Sequence, residues 1–507
     1  MGDSIVGRER ARLAAQDRLD AAQSATERNR GGQFATPPLL ATILAEQALK
    51  HYPNPTFSMV EPSCGTGALI SAALTVAGTL NKTPNRIVGI ESDPELAQVG
   101  AKLWDTNNTT IENRDFMHTP MREKFSLLVA NPPYVRHQLL DSETKREYRQ
   151  IAAKSSGIVP SGLSGLYVYF ILAAHQHLAD KAVSVWLVPA DFLDTNYGGP
   201  LRDYLSREVT LLRVHRFDPD SLLFDDALTT SSIIVFRNEK PDENRRVLFT
   251  EGQSLTNPAA SRVLDVGQLG GVSRWGRLFT GQAEPSAGGV SRLGDFFDIR
   301  RGIVTGGNKF FIMPRREAET RGIDTSLLAP ILPGPRFLDC QIVQADSEGW
   351  PIVGEQLVLL SSSVPLGVLR RENPGLAEYF GTVDAATRNS YTVTHREPWY
   401  GVEFRLPPPF LLTYLGRPSG EGAPFRVVLN YSRAVAANNY LLLYPKGVLA
   451  EMVASGAVSL GDVFCALESI GADSFLVESR VCGGGLRRIE PGGLAEVDAA
   501  PISRLVG

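Results

Sequence analysis

The chain has only four cysteines, Cys64, Cys340, Cys465 and Cys482, widely scattered and with no Cys-x-x-Cys pair among them. Neither a zinc site nor a disulfide framework is indicated, and no metal is expected. No run of about 18 apolar residues occurs, so no membrane span is expected. The amino terminus, rich in Arg, Glu and Gln, lacks the apolar stretch of a secretory signal, which makes a cytoplasmic location the default. A cationic surplus is missing too: 51 Lys and Arg stand against 55 Asp and Glu, a net charge of -4. That counts against a protein dominated by phosphate contacts, though not against a local basic cleft. There is no Gly-x-Gly-x-x-Gly fingerprint and no phosphate-binding loop ending in Lys-Ser/Thr. No internal repeat is evident.

What is present is ordinary in bulk and specific in detail. At 507 residues, 43% hydrophobic and 21% charged, the chain is a soluble globular type with room for two or three domains. From about residue 57, strand-like and helix-like segments alternate. The expected strands are Phe57–Glu61, Arg86–Glu91, Thr109–Asn113, Phe125–Ala130, Ala182–Pro189, Leu211–Phe217 and Ser231–Arg237. The expected helices include Ala68–Ala77, Pro94–Asp105, Leu163–Ala179 and Gly199–Ser206. Such alternation implies an α/β fold with a mostly parallel sheet covered on both faces. Ahead of it, residues 1–30 read as a charged helix or leader whose arginines, Arg12 among them, face solvent. Thr36 and Pro37 suit the N-cap and first position of a further helix.

Ligands of such sheets sit beyond the carboxyl ends of the strands, and polar residues gather there. Phe57–Val60 runs into Glu61-Pro62-Ser63-Cys64-Gly65-Thr66-Gly67, where small residues let a ligand approach a helix N-terminus. Glu91 ends the next strand, in the place of an acid that accepts both hydroxyls of a ribose. Asp115 follows the third strand and can accept from an adenine amine, with the Phe116 ring packing on the base. Ribose and adenine recognition without phosphate handling points to S-adenosylmethionine. The plainer reading of these acids is that they cap the following helices, but Asp93 before Pro94 is the better cap there. The fourth strand breaks into Asn131-Pro132-Pro133-Tyr134. Its prolines carry no N–H, so the loop offers carbonyl acceptors beside an amide and an aromatic ring. The Asn131 side-chain oxygen and the Pro132 carbonyl suit an exocyclic amine, and Tyr134 suits stacking. A strand ending in an unremarkable Pro-Pro turn would look the same.

In motif order these residues resemble the gamma-class, TaqI-like DNA adenine-N6 methyltransferases of type II restriction–modification systems. The resemblance implies a Rossmann-like S-adenosylmethionine-dependent catalytic domain over 1–245, a linker over 246–290 and a β-rich or α+β target-recognition domain over 291–507. It makes Asn131–Tyr134 the catalytic tetrapeptide and gives Thr36-Pro37 contact with the methionine moiety. Glu61, Pro62, Cys64, Gly65, Gly67, Glu91, Asp115 and Phe116 become the remaining cofactor residues, together with Asn131. Phe224, in Phe224-Asp225-Asp226-Ala227-Leu228-Thr229-Thr230, is implied as the wall opposite Tyr134 for a flipped adenine. Arg300–Phe310 resembles the opening of the recognition region, which Asn430-Tyr431-Ser432 and Asn438-Asn439 also fit. The implied partner is double-stranded DNA, with a separately encoded restriction endonuclease, since too few residues precede Thr36 for an amino-terminal nuclease. The tetrapeptide also occurs in protein-glutamine and rRNA methyltransferases, which are the alternative.

Overall fold

The computed structural model describes all residues except 1–3, 23–31, 33, 119–122, 219–229, 243, 271, 273, 281–290, 418–423, 482–485 and 507. The chain divides into two units, Met1–Glu284 and Pro285–Gly507. In the first, helices α1 (Ile5–Ala22) and α2 (Pro38–His51) precede strand β1 (Thr56–Glu61). Then follow α3 (Ala68–Thr79), β2 (Thr83–Glu91), α4 (Pro94–Trp104), β3 (Thr109–Asn113) and β4 (Phe125–Ala130). After α5 (Ser142–Ser156) and α6 (Leu166–Ala174) come β5 (Leu178–Pro189), α7 (Gly199–Arg207), β6 (Thr210–Phe217) and β7 (Ser231–Arg237). Two more strands, β8 (Arg246–Gly252) and β9 (Ala260–Asp265), finish the sheet.

The sheet order is β3-β2-β1-β4-β5-β7-β6-β8-β9. The first five strands in that order pair in parallel, whereas β7 runs antiparallel to both β5 and β6. Alternate residues of β4 face opposite cores, as strand geometry requires. Leu127 and Val129 join α2 and α3, while Leu128 and Ala130 join α6. Both faces are therefore dry, which explains why the central strands read as unbroken apolar runs. The order reverses between β1 and β4, so the loops after these two strands stand side by side and open a crevice there.

Three expectations need correction. Residues 246–265 are not linker: β8 pairs with β6 in parallel and β9 with β8 antiparallel. No helix separates these strands, so the strand–helix alternation that marks the rest of the sheet is absent. The expected helix Leu163–Ala179 is shorter: α6 is followed by a 3-10 turn, His175–His177, and β5 already begins at Leu178. The charged leader is not simply solvated, because α1 packs on α3 and α4 and buries Arg12 and Ala15.

The second unit is α+β. Its five-stranded sheet places Phe297–Arg301, Tyr440–Pro445, Phe410–Thr413, Val427–Asn430 and Ile342–Val343 side by side. All neighbours are antiparallel except the last pair. Helices including Gly447–Ser455 and Leu460–Glu468 supply a core with Phe297, Phe410 and Leu443. Asn430 is buried and structural here: its Nδ2 donates to the Pro408 and Ala434 carbonyls, and its Oδ1 accepts from Ser432 N and Oγ. No helix among the described residues is long and apolar enough to cross a membrane.

Candidate active site at the strand ends

The loop after β1 is shaped by two left-handed glycines. Gly67 (φ 90°) starts α3, and a Cβ there would lie 2.5 Å from the Trp104 ring. The Trp104 indole in turn donates to the Thr66 carbonyl at 3.0 Å. Gly65 (φ 53°) is different, because a Cβ built on it would meet nothing within 4 Å. The backbone at Gly65 thus borders open space that a ligand can enter closely.

Two acids brace this loop. Glu91, at the end of β2, accepts from Gly65 N at 2.8 Å through Oε2, and from Asp93 N at 2.9 Å and Ser92 Oγ at 3.5 Å through Oε1. Oε2, with a single donor, keeps a further lone pair for a hydroxyl. Burial raises its pKa, and backbone hydrogen bonds from Asp93, Gly65 and Ser92 oppose that rise. Asp93 caps α4 through Glu95 N and Leu96 N, leaving Glu91 free of that duty. Glu61, at the end of β1, is 2% exposed, and its Oε2 has no hydrogen-bond partner among the described residues. Burial, then the neighbouring Glu91, holds its carboxyl well above the ordinary range, while Arg12 pulls the other way. Cys64 is buried; burial and the same two acids push its thiol up, so it packs rather than reacts. Pro62 is buried beside it.

The tetrapeptide after β4 is anchored from an unexpected side. Asn131 Nδ2 donates to the Phe34 carbonyl at 3.2 Å and to Thr36 Oγ1 at 3.1 Å. With both amide hydrogens spent there, the orientation of the amide is determined by its network. Its Oδ1 is buried with no partner among the described residues. A buried acceptor left unpaired costs about 1–3 kcal/mol, and a donor arriving from a ligand removes that cost. Ser63 Oγ donates to the Asn131 carbonyl at 3.1 Å, tying the β1 and β4 loops together. Thr36 is therefore not a helix cap: α2 begins at Pro38, its N-cap is Pro37, and no side chain caps it. Sequence spacing could not reveal that the hydroxyl reaches a residue 95 positions away.

Pro132 is buried and Pro133 half-buried. Tyr134 N donates to the Gly32 carbonyl at 3.1 Å, and the Tyr134 ring lies 6.0 Å from that of Phe34, tilted by 49°. Burial raises the Tyr134 phenol, and a hydrogen bond with Ser231, the first residue of β7, opposes it. Asp115 accepts from Met117 N at 2.9 Å and meets His118 Nδ1 at 2.5 Å. His118 Nε2 reaches Glu147 of α5 at 3.1 Å. Phe116 departs from expectation: it is 3% exposed, with its ring against Phe170 (5.4 Å) and His177 (5.5 Å). It belongs to the hydrophobic core between the sheet and α6. Phe224 lies outside the described residues.

The loops after β1, β2, β3 and β4 thus carry three carboxylates, those of Glu61, Glu91 and Asp115. Beside them stands an unpaired amide oxygen next to an aromatic ring. The described residues hold no cluster of His, Cys, Asp and Glu suited to a metal ion. Against known families, residues 69–224 match the Eco57I restriction-modification methylase model, and residues 283–506 match the C-terminal domain of the type II methyltransferase M.Eco57I. The chain is 26% identical over 477 residues to type II methyltransferase M.XamI of Xanthomonas campestris pv. amaranthicola, covering 91% of this chain and 84% of that one. It is 24% identical over 491 residues to type II methyltransferase M.AccI of Acinetobacter calcoaceticus, covering 93% and 85%. Among solved structures, the type IIL restriction-modification enzyme MmeI, determined in complex with DNA, shares the fold. Its TM-score is 0.57 at 12% identity, over 91% of this chain and 65% of that one.

Proposed function

Since this chain is a type II restriction–modification methylase of the Eco57I kind, we propose that it methylates N6 of an adenine flipped out of duplex DNA. The observation that carries the reading is the Asn131 amide, turned by Phe34 and Thr36 so that its buried oxygen lacks a donor. S-adenosylmethionine, when bound, supplies the methyl group on its sulfonium. Everything else falls to the chain's own residues. Glu91 receives ribose hydroxyls, Asp115 the cofactor's adenine amine and Glu61 a cationic amino group.

The amine of the target base is a poor nucleophile because its lone pair is delocalised into the ring. Asn131 Oδ1 and the Pro132 carbonyl each accept one of its hydrogens, favouring the pyramidal form whose lone pair is available for in-line attack. Positioning and fixed dipoles then supply the rate enhancement. The base must leave the duplex to reach this crevice. Tyr134 stacks on it, and Phe224 is the resemblance's candidate for the opposite wall, each stack contributing about 1–3 kcal/mol. The second unit reads the DNA sequence, and a separately encoded endonuclease cuts the unmodified site.

Transfer of labelled methyl from S-adenosylmethionine to duplex DNA, RNA and protein tests this directly. The expected product is N6-methyladenine at one DNA sequence, which methylation-sensitive sequencing of an expressing host will also report. Label in a glutamine side chain or in rRNA would favour the alternative use of the same tetrapeptide.

A further inference from the structure

The amino-terminal helix carries a buried charge that the mechanism above leaves unused. Arg12, on the polar helix α1, is 1% exposed. Burying a guanidinium is costly unless its donors and charge are met. Glu9 meets part of the demand, with Oε1 at 2.7 Å and Oε2 at 2.8 Å. The remaining arm, Nη1, reaches Thr66 Oγ1 at 3.3 Å, inside the loop between β1 and α3. Thr66 Oγ1 itself donates to Gln16 Oε1, one turn further along α1, at 2.8 Å. The residue between the two left-handed glycines is thus held from above by α1 and from the side by Trp104.

Arg12 also bears on Glu61. The charged and titratable groups that face that carboxyl are Glu91 from β2, Cys64 from the loop and Arg12 from α1, with Ile70 N of α3 as a hydrogen-bond donor. Among these Arg12, itself paired with Glu9 on α1, is the one cation. We propose that Arg12 is a positioning residue of the cofactor site, docking α1 on Thr66 and supplying the countercharge against which Glu61 ionises to receive a cationic group. This rests on the reading of Glu61 as a cofactor-binding acid. On that basis α1 is a working part of the site, and cofactor affinity rises with pH as Glu61 loses its proton. Removing the Arg12 charge moves that midpoint upward.

Calorimetric titration of the full chain with S-adenosylmethionine from about pH 5.5 to 9 tests the proposal on wild type, Arg12→Lys, Arg12→Gln and Thr66→Val. Arg12→Lys keeps the charge and should keep the wild-type midpoint. Arg12→Gln should raise the midpoint, so that binding on its acidic side is weaker than in the wild type at the same pH. Thr66→Val should weaken binding severalfold at every pH without moving the midpoint. Coincident midpoints in all four proteins would overturn the role of Arg12. If Arg12→Gln does not fold, hydrogen exchange of the wild type decides instead. Amides of residues 5–22 should slow on adding the cofactor, and unchanged exchange overturns the coupling. A wild type that binds no S-adenosylmethionine at any pH sinks the reading of the site and Arg12's role with it. Coincident midpoints with intact wild-type binding sink the role of Arg12 alone.

Discussion

The chemistry turns on a few atoms whose partners are fixed. Asn131→Ala removes the proposed acceptor for the amine, so turnover should fall by about 10²–10³ while cofactor affinity, measured by calorimetry, stays within severalfold. Thr36→Val keeps the amide but loosens one of its two anchors. It should cost turnover less than Asn131→Ala and leave the melting temperature nearly unchanged, since Thr36 caps no helix. Tyr134→Phe removes a buried hydroxyl and keeps the ring, so most activity should survive; a variant as inactive as Asn131→Ala would give the hydroxyl a chemical role. Glu61 gives a pH prediction. Its folded pKa lies well above the ordinary 4.5, so its contribution to stability belongs to the protonated form, present below 4.5 and lost as pH rises through the raised value. Glu61→Gln should therefore stabilise the ligand-free protein above that value, by about 1–3 kcal/mol, while weakening cofactor binding. Thermal melts with and without S-adenosylmethionine will separate the two effects.

Among the elements, β4 and β7 lie where the apolar runs placed them, because each is bounded by a sharp change in polarity. Glu61, Glu91 and Asn131 fall at strand ends for the same reason. Other features left no such local mark. The helix α5 is strongly polar and rests on an Asp141 cap with donors Glu143 N and Thr144 N, so no apolar stripe announces it. Its Glu147 and Tyr148 meet the His118–Asp115 pair. The hydrogen bond to Asp115 raises His118 above its ordinary 6.5. Its stabilising contribution is full below 6.5 and lost as pH rises through the raised value. The wild type should lose stability over that window, by less than about 1 kcal/mol because the ring is half exposed, and His118→Gln should not. Denaturation curves on either side of the window provide the check.

For the whole molecule, the decisive boundary is the one at Glu284 and Pro285. A truncation after Arg245 strips β8 and β9 from the sheet and uncovers the edge of β6, and should fail to fold. A truncation after Glu284 keeps all nine strands. It should bind S-adenosylmethionine within severalfold of the full chain and lose sequence-specific DNA affinity, because the proposed function gives base readout to the second unit. Mobility shifts with cognate and scrambled duplexes measure this, and undiminished specificity in the shorter chain would refute the division of labour. The course of the chain through β8 and β9 was hidden because strand follows strand there without a helix. The docking of α1 was hidden because it depends on Arg12 meeting Thr66, 54 residues away.

The bond between Asn131 and Pro132 also bears on how the enzyme ages. Asparagine deamidates when the backbone nitrogen of the next residue attacks its side-chain carbonyl and closes a cyclic imide. Proline's nitrogen carries no hydrogen and cannot complete that ring closure. The competing route, in which Nδ2 attacks the main-chain carbonyl of Asn131 and expels the Pro132 nitrogen, requires Nδ2 to swing free of Phe34 and Thr36. The contacts that aim the amide for catalysis therefore also protect it, and the centre of the enzyme should be among its slowest sites to decay in long storage.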